Sequence, residues 1–411
     1  MKRNLAQWLE TILALHPTEI DMGLGRIRLV AQRLGIAPNA PVITVAGTNG
    51  KGSTVALLNA LATAAGKKVG VYTSPHIHRF NERIRLQNHL VEDATLCQAF
   101  EAVEAAREEV SLTFFEFTTL AALWIFQRAE LDLWILEVGL GGRLDAVNIV
   151  DPQVALVTSI ALDHTDWLGE ELDHIALEKA GIARPHTPLL YGMETVPETV
   201  ADFAAQHQVL LAVRGKDFGV DNATLWWHQG QQRHGLPLTQ DIPLGEDNLA
   251  MALAALAHVD MLPSLASVVH IAARRELAGR SQYFYHKDRH WYLDVGHNPA
   301  AIRRFFHRLP STEIPPLGVC AMLMDKSPLT LSEQAHLARR WYLADLSVPR
   351  GGTAQRLSDS LAANVPRECY PSVKEAMQAA LAESQAGDTI VVLGSFYTVA
   401  EAEAYLSDAV S

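Results

Sequence analysis

A chain of 411 residues with 49% apolar and 19% charged positions has a globular balance and length enough for two or three domains. Its formal net charge of −12 argues against general nucleic-acid binding, which needs a basic footprint, but allows a local cationic cluster for an anion. Cys97, Cys320 and Cys369 lie far apart with no C-x-x-C, as expected of thiols in a reducing compartment rather than disulfides or zinc ligands.

The first ten residues carry polar side chains every few positions and lack the apolar centre of a signal peptide. No run approaches the ~18 uninterrupted apolar residues of a membrane span. A cytoplasmic location with no membrane partner is expected.

The first strong element is an apolar strand over 42–46. It runs into Gly47-Thr-Asn-Gly-Lys-Gly-Ser53 and a helix over 54–65. Gly47 and Gly50 permit a tight turn that aims backbone N–H groups inward, and the following helix adds positive potential. Lys51 can reach the outer phosphates of a nucleotide, and Ser53 or Thr54 can hold magnesium. The run departs from G-x-x-x-x-G-K-[ST]: the first glycine would fall at Val45, and Gly52 separates Lys51 from the hydroxyl. The alternative is a glycine-rich turn without a ligand.

Further strands are expected over 68–73, 131–138, 154–160 and 188–191, alternating with helices over 93–109, 117–129 and 175–181. This is the pattern of βαβ units: an α/β fold, with a P-loop and a mostly parallel sheet flanked by helices. Such sheets bind ligands at their strands' carboxyl ends, and Gly47, Ser74, Glu137 and Ile160 lie at or just past such ends. Ser74, in Tyr72-Thr-Ser-Pro-His76, caps a turn or ligates a metal. Glu137 interrupts an apolar strand, so it needs a metal or a partner such as a structural arginine. His164, in Asp163-His-Thr-Asp166, ligates a metal or caps a loop. Taken together, Ser74, Glu137 and His164 suggest one shared metal site, oxygen-rich enough for magnesium or manganese. Lys179, read alone, is a cation at a helix C-terminus.

Residues 200–245 are less regular and read as a small antiparallel insertion. Asp247-Asn248 then opens a helix running through 257. A second alternating series follows, with strands over 291–295, 318–323, 341–344 and 389–393. Its helices are expected over 299–308, 329–339, 355–362 and 373–384. This is a smaller C-terminal Rossmann-like α/β domain. The expected division is 1–279 and 280–411, without a low-complexity linker or a 20–50-residue repeat. Asp294, His297 and Ser395 sit at strand ends of this domain, and Arg280 falls at the presumed hinge. A nucleotide site facing those polar ends would form a cleft that closes on substrates.

These motifs resemble the Mur ligase superfamily, and within it the bacterial dihydrofolate synthase/folylpolyglutamate synthase family. The carriers are Val45-Ala-Gly-Thr-Asn-Gly-Lys-Gly-Ser53, Thr73-Ser-Pro-His76, Phe114-Phe-Glu-Phe117, Glu178-Lys-Ala-Gly-Ile182 and Asp294-Val-Gly-His-Asn-Pro299. Gly52 after the lysine is typical of the folate branch. Alanine in Leu277-Ala-Gly-Arg280 and the Met324-Asp-Lys-Ser-Pro328 loop depart from its pattern without removing a catalytic group.

The resemblance implies ATP-dependent amide-bond formation through an acyl phosphate. It implies that Gly47, Thr48, Asn49, Gly50, Lys51, Gly52 and Ser53 hold the ATP phosphates. Ser74 and Glu137 would hold one magnesium and His164 a second, helped by an N-carboxylated Lys179. Asn248, Arg280 and Asp294 would contact the nucleotide, and His297 and Ser395 the incoming glutamate. Phe115, Asp145 and Ala146 would line a pteroate pocket, with Arg83 near the acceptor. The implied substrates are 7,8-dihydropteroate, reduced folates, L-glutamate and ATP, and the implied state is a monomer. A related ligase with another carboxylate acceptor, or a non-catalytic nucleotide-binding module, are the alternatives.

Overall fold

The structure is a computed structural model that describes residues 3–408. Met1 and Lys2, part of the N-terminal stretch read above, and 409–411 lie outside the described residues. The chain divides into two compact units, Met1–Arg275 and Glu276–Ser411.

The first unit is built on strands β1 (Val42–Ala46), β2 (Val69–Tyr72), β3 (Ile84–Leu86), β4 (His89–Leu90), β5 (Leu133–Glu137), β6 (Val154–Val157), β7 (Pro188–Tyr191) and β8 (Leu210–Val213). They form one sheet in the order β4-β3-β2-β5-β1-β6-β7-β8. From β2 to β8 every neighbouring pair is parallel, while β3 and β4 pair antiparallel at one edge. Val42-Ile-Thr-Val-Ala46 is buried along its whole length, as a central strand covered on both faces must be. The helix expected over 117–129 begins earlier, at Phe114, because Thr113 and Glu116 close a reciprocal capping box.

The expected antiparallel insertion is narrower than 200–245. The helix Glu198–Gln206 and β8 continue the parallel sheet. Only β9 (Phe218–Asp221), β10 (Thr224–Gln229) and β11 (Gln232–Pro237) form the antiparallel sheet. It packs on the helix Glu246–His258.

The second unit carries β12 (Gln282–His286), β13 (Arg289–Asp294), β14 (Leu317–Cys320), β15 (Arg340–Ala344), β16 (Arg367–Tyr370) and β17 (Thr389–Leu393). Their order is β12-β13-β17-β14-β15-β16, parallel except for the β12–β13 hairpin. The helix expected over 329–339 is broken into Leu329–Ser332 and a 3-10 turn, Ala335–Leu337. A continuing helix would use the Ala335 carbonyl for the Arg339 amide. Instead the Trp341 indole donates to that carbonyl at 2.9 Å, and Arg339 N–H donates to Pro316. Among the described residues no helix is long and apolar enough to cross a membrane.

Candidate active site

β1 ends at Ala46 and the backbone turns at Gly47 (φ +140°) into the helix Lys51–Ala64. A Cβ at Gly47 would lie 2.0 Å from Thr158 Oγ1 and 3.0 Å from the Thr158 amide, so only glycine fits. The loop is stitched to the end of β6. Thr48 N–H donates to the Ser159 carbonyl at 2.7 Å, and Asn49 N–H to Ser159 Oγ at 3.0 Å. Thr158 Oγ1 and Ser159 Oγ both donate to the Asn49 carbonyl, at 2.7 and 2.9 Å. On the other flank, a Cβ at Gly50 (φ +93°) would lie 3.0 Å from Asn248 Oδ1. Asn248 is itself held by its amide, which donates to Leu244 O at 2.6 Å. Gly50 caps the helix without a side chain, so the positive helix end stays open to an anion.

Lys51 curls back over this loop: Nζ donates to the carbonyls of Gly47 (2.9 Å) and Thr48 (3.4 Å). Gly47, Thr48 and Lys51 line a cavity of about 20 Å³ together with residues 138–141, Asp163, His164 and Lys179. Lys179 is 5% exposed, and its amine makes no hydrogen bond or ion pair among the described residues. Burial, reinforced by the Lys51 charge, pushes its pKa down to about 7, while Asp163, Asp145 and Glu178 pull it up. The preceding Glu178 anchors the segment, since Arg143 Nε donates to its Oε2 at 2.9 Å and Arg143 N–H to its carbonyl at 2.9 Å.

Glu137 ends β5 in register with Val45 of β1, and the Ser74 amide donates to its Oε2 at 3.2 Å. Ser74 Oγ makes no hydrogen bond among the described residues. His164 takes a left-handed backbone (φ +52°) at the start of the short helix Thr165–Leu168. Its N–H donates to Asp163 Oδ1 at 3.0 Å, and its ring nitrogen lies 3.9 Å from Oδ2. Among the described residues no three His, Cys, Asp or Glu side chains form a ready metal cage. The donors present are mostly oxygens: the Ser74 hydroxyl and the Glu137 and Asp163 carboxylates. They fit a hard cation that completes its shell with water and phosphate.

Asp145 is buried and accepts the amides of Gly139 (3.0 Å), Leu140 (2.9 Å) and Val147 (3.0 Å). Burial raises its pKa to about 6 against those bonds and the Lys51 charge. Asp145 thus shapes the 139–147 backbone, with Ala146 buried beside it. Phe115 stacks on Tyr72 at 6.0 Å, and its ring lies so near Gly139 that a Cβ there would approach to 2.7 Å. Arg83 is buried between Phe80 and Phe114, 5.7 and 5.5 Å from the ring centroids, and its Nε donates to His76 Nδ1 at 2.9 Å. Burial, then the Arg83 charge, holds the His76 pKa down at about 4, so the ring is a neutral acceptor.

In the second unit, Asp294 ends β13 and accepts the amides of Ser281 (2.9 Å) and Gly296 (2.7 Å). Burial raises its pKa, and the neighbouring Arg280 opposes the rise. Arg280 lies over the Phe396 ring at 5.3 Å. His297 Nδ1 donates to Val295 O at 2.9 Å. Ser395 is buried: Oγ accepts from Thr398 N–H at 3.0 Å and lies 2.7 Å from Thr398 Oγ1, which donates to Ala321 O. Its hydroxyl caps the helix Phe396–Asp408, where the sequence suggested a glutamate contact.

The structure brings Lys51, His164 and Lys179, each named from the sequence or its family resemblance, to one cavity, and adds Asp163, Thr158 and Ser159, which had no assigned role. An acid directly before His164 was the available signal for Asp163. The two hydroxyls directly after β6 were the signal for Thr158 and Ser159.

A phosphate loop at the centre of a parallel sheet, followed by a second α/β unit, is the architecture of a Mur-type ligase. The Mur ligase middle domain matches residues 45–234, and the Mur ligase glutamate ligase domain matches 279–396. A dihydrofolate synthase/folylpolyglutamate synthase of Escherichia coli (strain K12) is 44% identical over 96% of this chain and 94% of its own length. Escherichia coli FolC in complex with DHPP and ADP superposes with a TM-score of 0.92 at 42% identity, covering 100% of this chain and 99% of that one. A bifunctional folylpolyglutamate synthase/dihydrofolate synthase bound to Mn, AMPPNP and L-glutamate gives a TM-score of 0.89 at 40% identity, with 98% of both chains covered. The chain belongs to the dihydrofolate synthase/folylpolyglutamate synthase family.

Proposed function

We propose that this enzyme joins L-glutamate to 7,8-dihydropteroate to give dihydrofolate, and then adds γ-linked glutamates to reduced folates. ATP supplies the driving force. The observation that carries this reading is the single cavity shared by the phosphate loop, Lys51, Asp163, His164 and the buried Lys179. The nucleotide, manganese, DHPP and glutamate bound to the relatives support it.

A carboxylate resists amines because its oxygen is a poor leaving group. Transfer of the γ-phosphoryl group to that oxygen gives an acyl phosphate. The glutamate amine then attacks the acyl carbon, and phosphate departs. Residues 47–53 hold the ATP phosphates, and Lys51 moves from the Gly47 carbonyl onto the transferring oxygens. Ser74 and Glu137 would hold one divalent cation and His164 a second, and such cations would supply charge neutralisation at the phosphoryl oxygens. Lys179 takes carbon dioxide: its uncharged amine forms an N–C bond to the carbon and loses a proton, giving an anionic carbamate that would help hold the second cation. Asn248, Arg280 and Asp294 meet the nucleotide. Phe115, Asp145, Ala146 and Arg83 shape the acceptor pocket, Asp145 acting through the backbone it holds. His297 orients or deprotonates the incoming amine.

The test is ADP and phosphate release measured with dihydropteroate, glutamate, both or neither. The reading requires turnover only with both, and likewise with tetrahydrofolate in place of dihydropteroate. ATP turnover indifferent to acceptor and glutamate would sink it.

A further inference from the structure

A cavity of about 890 Å³ opens in the second unit beside Pro316, just before β14, and Thr389, the first residue of β17. Asp294 and Ser395 stand at the opposite, carboxyl ends of β13 and β17. The cavity is therefore separate from the strand ends discussed above. Its volume falls in the range of ligand pockets, about 300–1,000 Å³.

Gln334 is the telling residue in its wall. The side chain is 2% exposed, yet its amide makes no hydrogen bond among the described residues. Its amide therefore has hydrogen-bonding capacity to offer a ligand that enters the cavity. Gln334 lies between the short helix Leu329–Ser332 and the Ala335–Leu337 turn, whose Ala335 carbonyl accepts the Trp341 indole N–H. Phe306 and Leu337 supply apolar walls, and Phe306 is braced edge-on against Trp341 at 6.3 Å. Arg303 and His307 stand one turn apart on the exposed face of the helix Pro299–Arg308 and line the same cavity, opposed by one carboxylate, Glu333.

A planar amide with adjacent donor and acceptor matches the edge of a heterocycle that presents an acceptor beside a donor. Apolar walls suit the flat faces of such a ring, and the cationic rim suits a negatively charged tail. From this geometry we propose that the cavity is a second ligand site for a heteroaromatic anion, its ring edge read by Gln334 and its tail held by Arg303 and His307. A pterin carrying glutamate and an adenine nucleotide share this chemistry. The proposal does not depend on the reaction assigned above.

Hydrogen–deuterium exchange on the full chain separates the two sources, with folic acid as the probe in one arm and ADP in the other. The expected result is protection of 303–316 and 333–337 in one arm. Gln334→Leu and Arg303→Ala should each raise the half-saturating concentration for that protection roughly tenfold, the scale of one lost bidentate pair. Protection of residues 47–53 by ADP should not change. Arg303 lies on an exposed helix face, so Arg303→Ala keeps the test decisive if Gln334→Leu lowers stability. Absence of protection there in both arms, at concentrations that saturate the phosphate loop, overturns the proposal. So does protection that survives both substitutions.

Discussion

Lys51 Nζ lies 2.9 Å from the carbonyl oxygen of Gly47, so the cation of the phosphate loop rests on the loop's own first residue. A nucleotide phosphate offers a charged acceptor in place of a neutral one, which favours release of this contact. Lys51→Ala should therefore lower ligase turnover by roughly 10³-fold, the scale of one lost electrostatic clamp on a transferring group. Circular dichroism should show the fold unchanged. Turnover within a few-fold of the parent would remove Lys51 from the chemistry.

Gly47→Ala tests the same loop by sterics. The added methyl would meet Thr158 Oγ1 at 2.0 Å and a backbone nitrogen at 3.0 Å, with φ at +140°. The expected cost is roughly 2 kcal/mol or more in urea denaturation, together with weakened ADP binding. Unaltered stability and affinity would mean that the loop is more plastic than its contacts imply.

Lys179 is testable by chemistry and by spectroscopy. Lys179→Ala should abolish most turnover, and a short carboxylic acid should partly restore it. In ¹³C-bicarbonate buffer the parent should show a carbamate carbonyl resonance that the variant lacks. An intact parent without that resonance argues against N-carboxylation.

His76 sets a pH window. Its folded pKa of about 4 lies below the ordinary histidine value of 6.5, so between these values the unfolded chain binds more protons. Its contribution is fully present above 6.5 and is lost as pH falls towards 4. The loss should be roughly 1–3 kcal/mol. His76→Asn, which can still accept from Arg83, should flatten the dependence of Tm on pH between 7 and 4. Parallel curves for the two proteins would refute the assignment.

Asp145→Asn replaces a carboxylate that accepts three amides by a group with one acceptor oxygen. At least one backbone N–H then loses its partner, for a destabilisation of about 1–3 kcal/mol. Because the 139–147 turn abuts Phe115, the apparent KM for dihydropteroate should rise as well. A change in stability without a change in KM would confine Asp145 to folding.

The legible parts of the fold were those with a strong periodic signal. β1, β7 and β17 are apolar runs between turn residues, and their sequence bounds match the structure. β3, β4, β12 and β16 are short or carry polar and aromatic side chains in alternation at an edge, which resembles loop sequence. The helix break near Gln334 was invisible because no glycine or proline marks it between Leu329 and Arg339. In the site, Glu137 was legible because a carboxylate in an apolar strand is anomalous, and Lys51 because it follows a glycine turn, whereas Lys179 reads locally as an ordinary helix-end cation and gained its role only from the family resemblance. Thr158 and Ser159 were not legible, because the sequence reading ran the strand on through 160, whereas β6 ends at Val157. Only the spatial neighbourhood of Asn49 gives them work.

The phosphate loop is fastened on two flanks, by Thr158 and Ser159 on one side and by Asn248 against Gly50 on the other. The helix that carries Asn248 is backed in turn by the three-stranded antiparallel sheet. The backbone entropy of shaping the cradle is therefore lost during folding, before any nucleotide arrives. Association then needs little further ordering of the main chain, and more of the contact free energy appears as affinity.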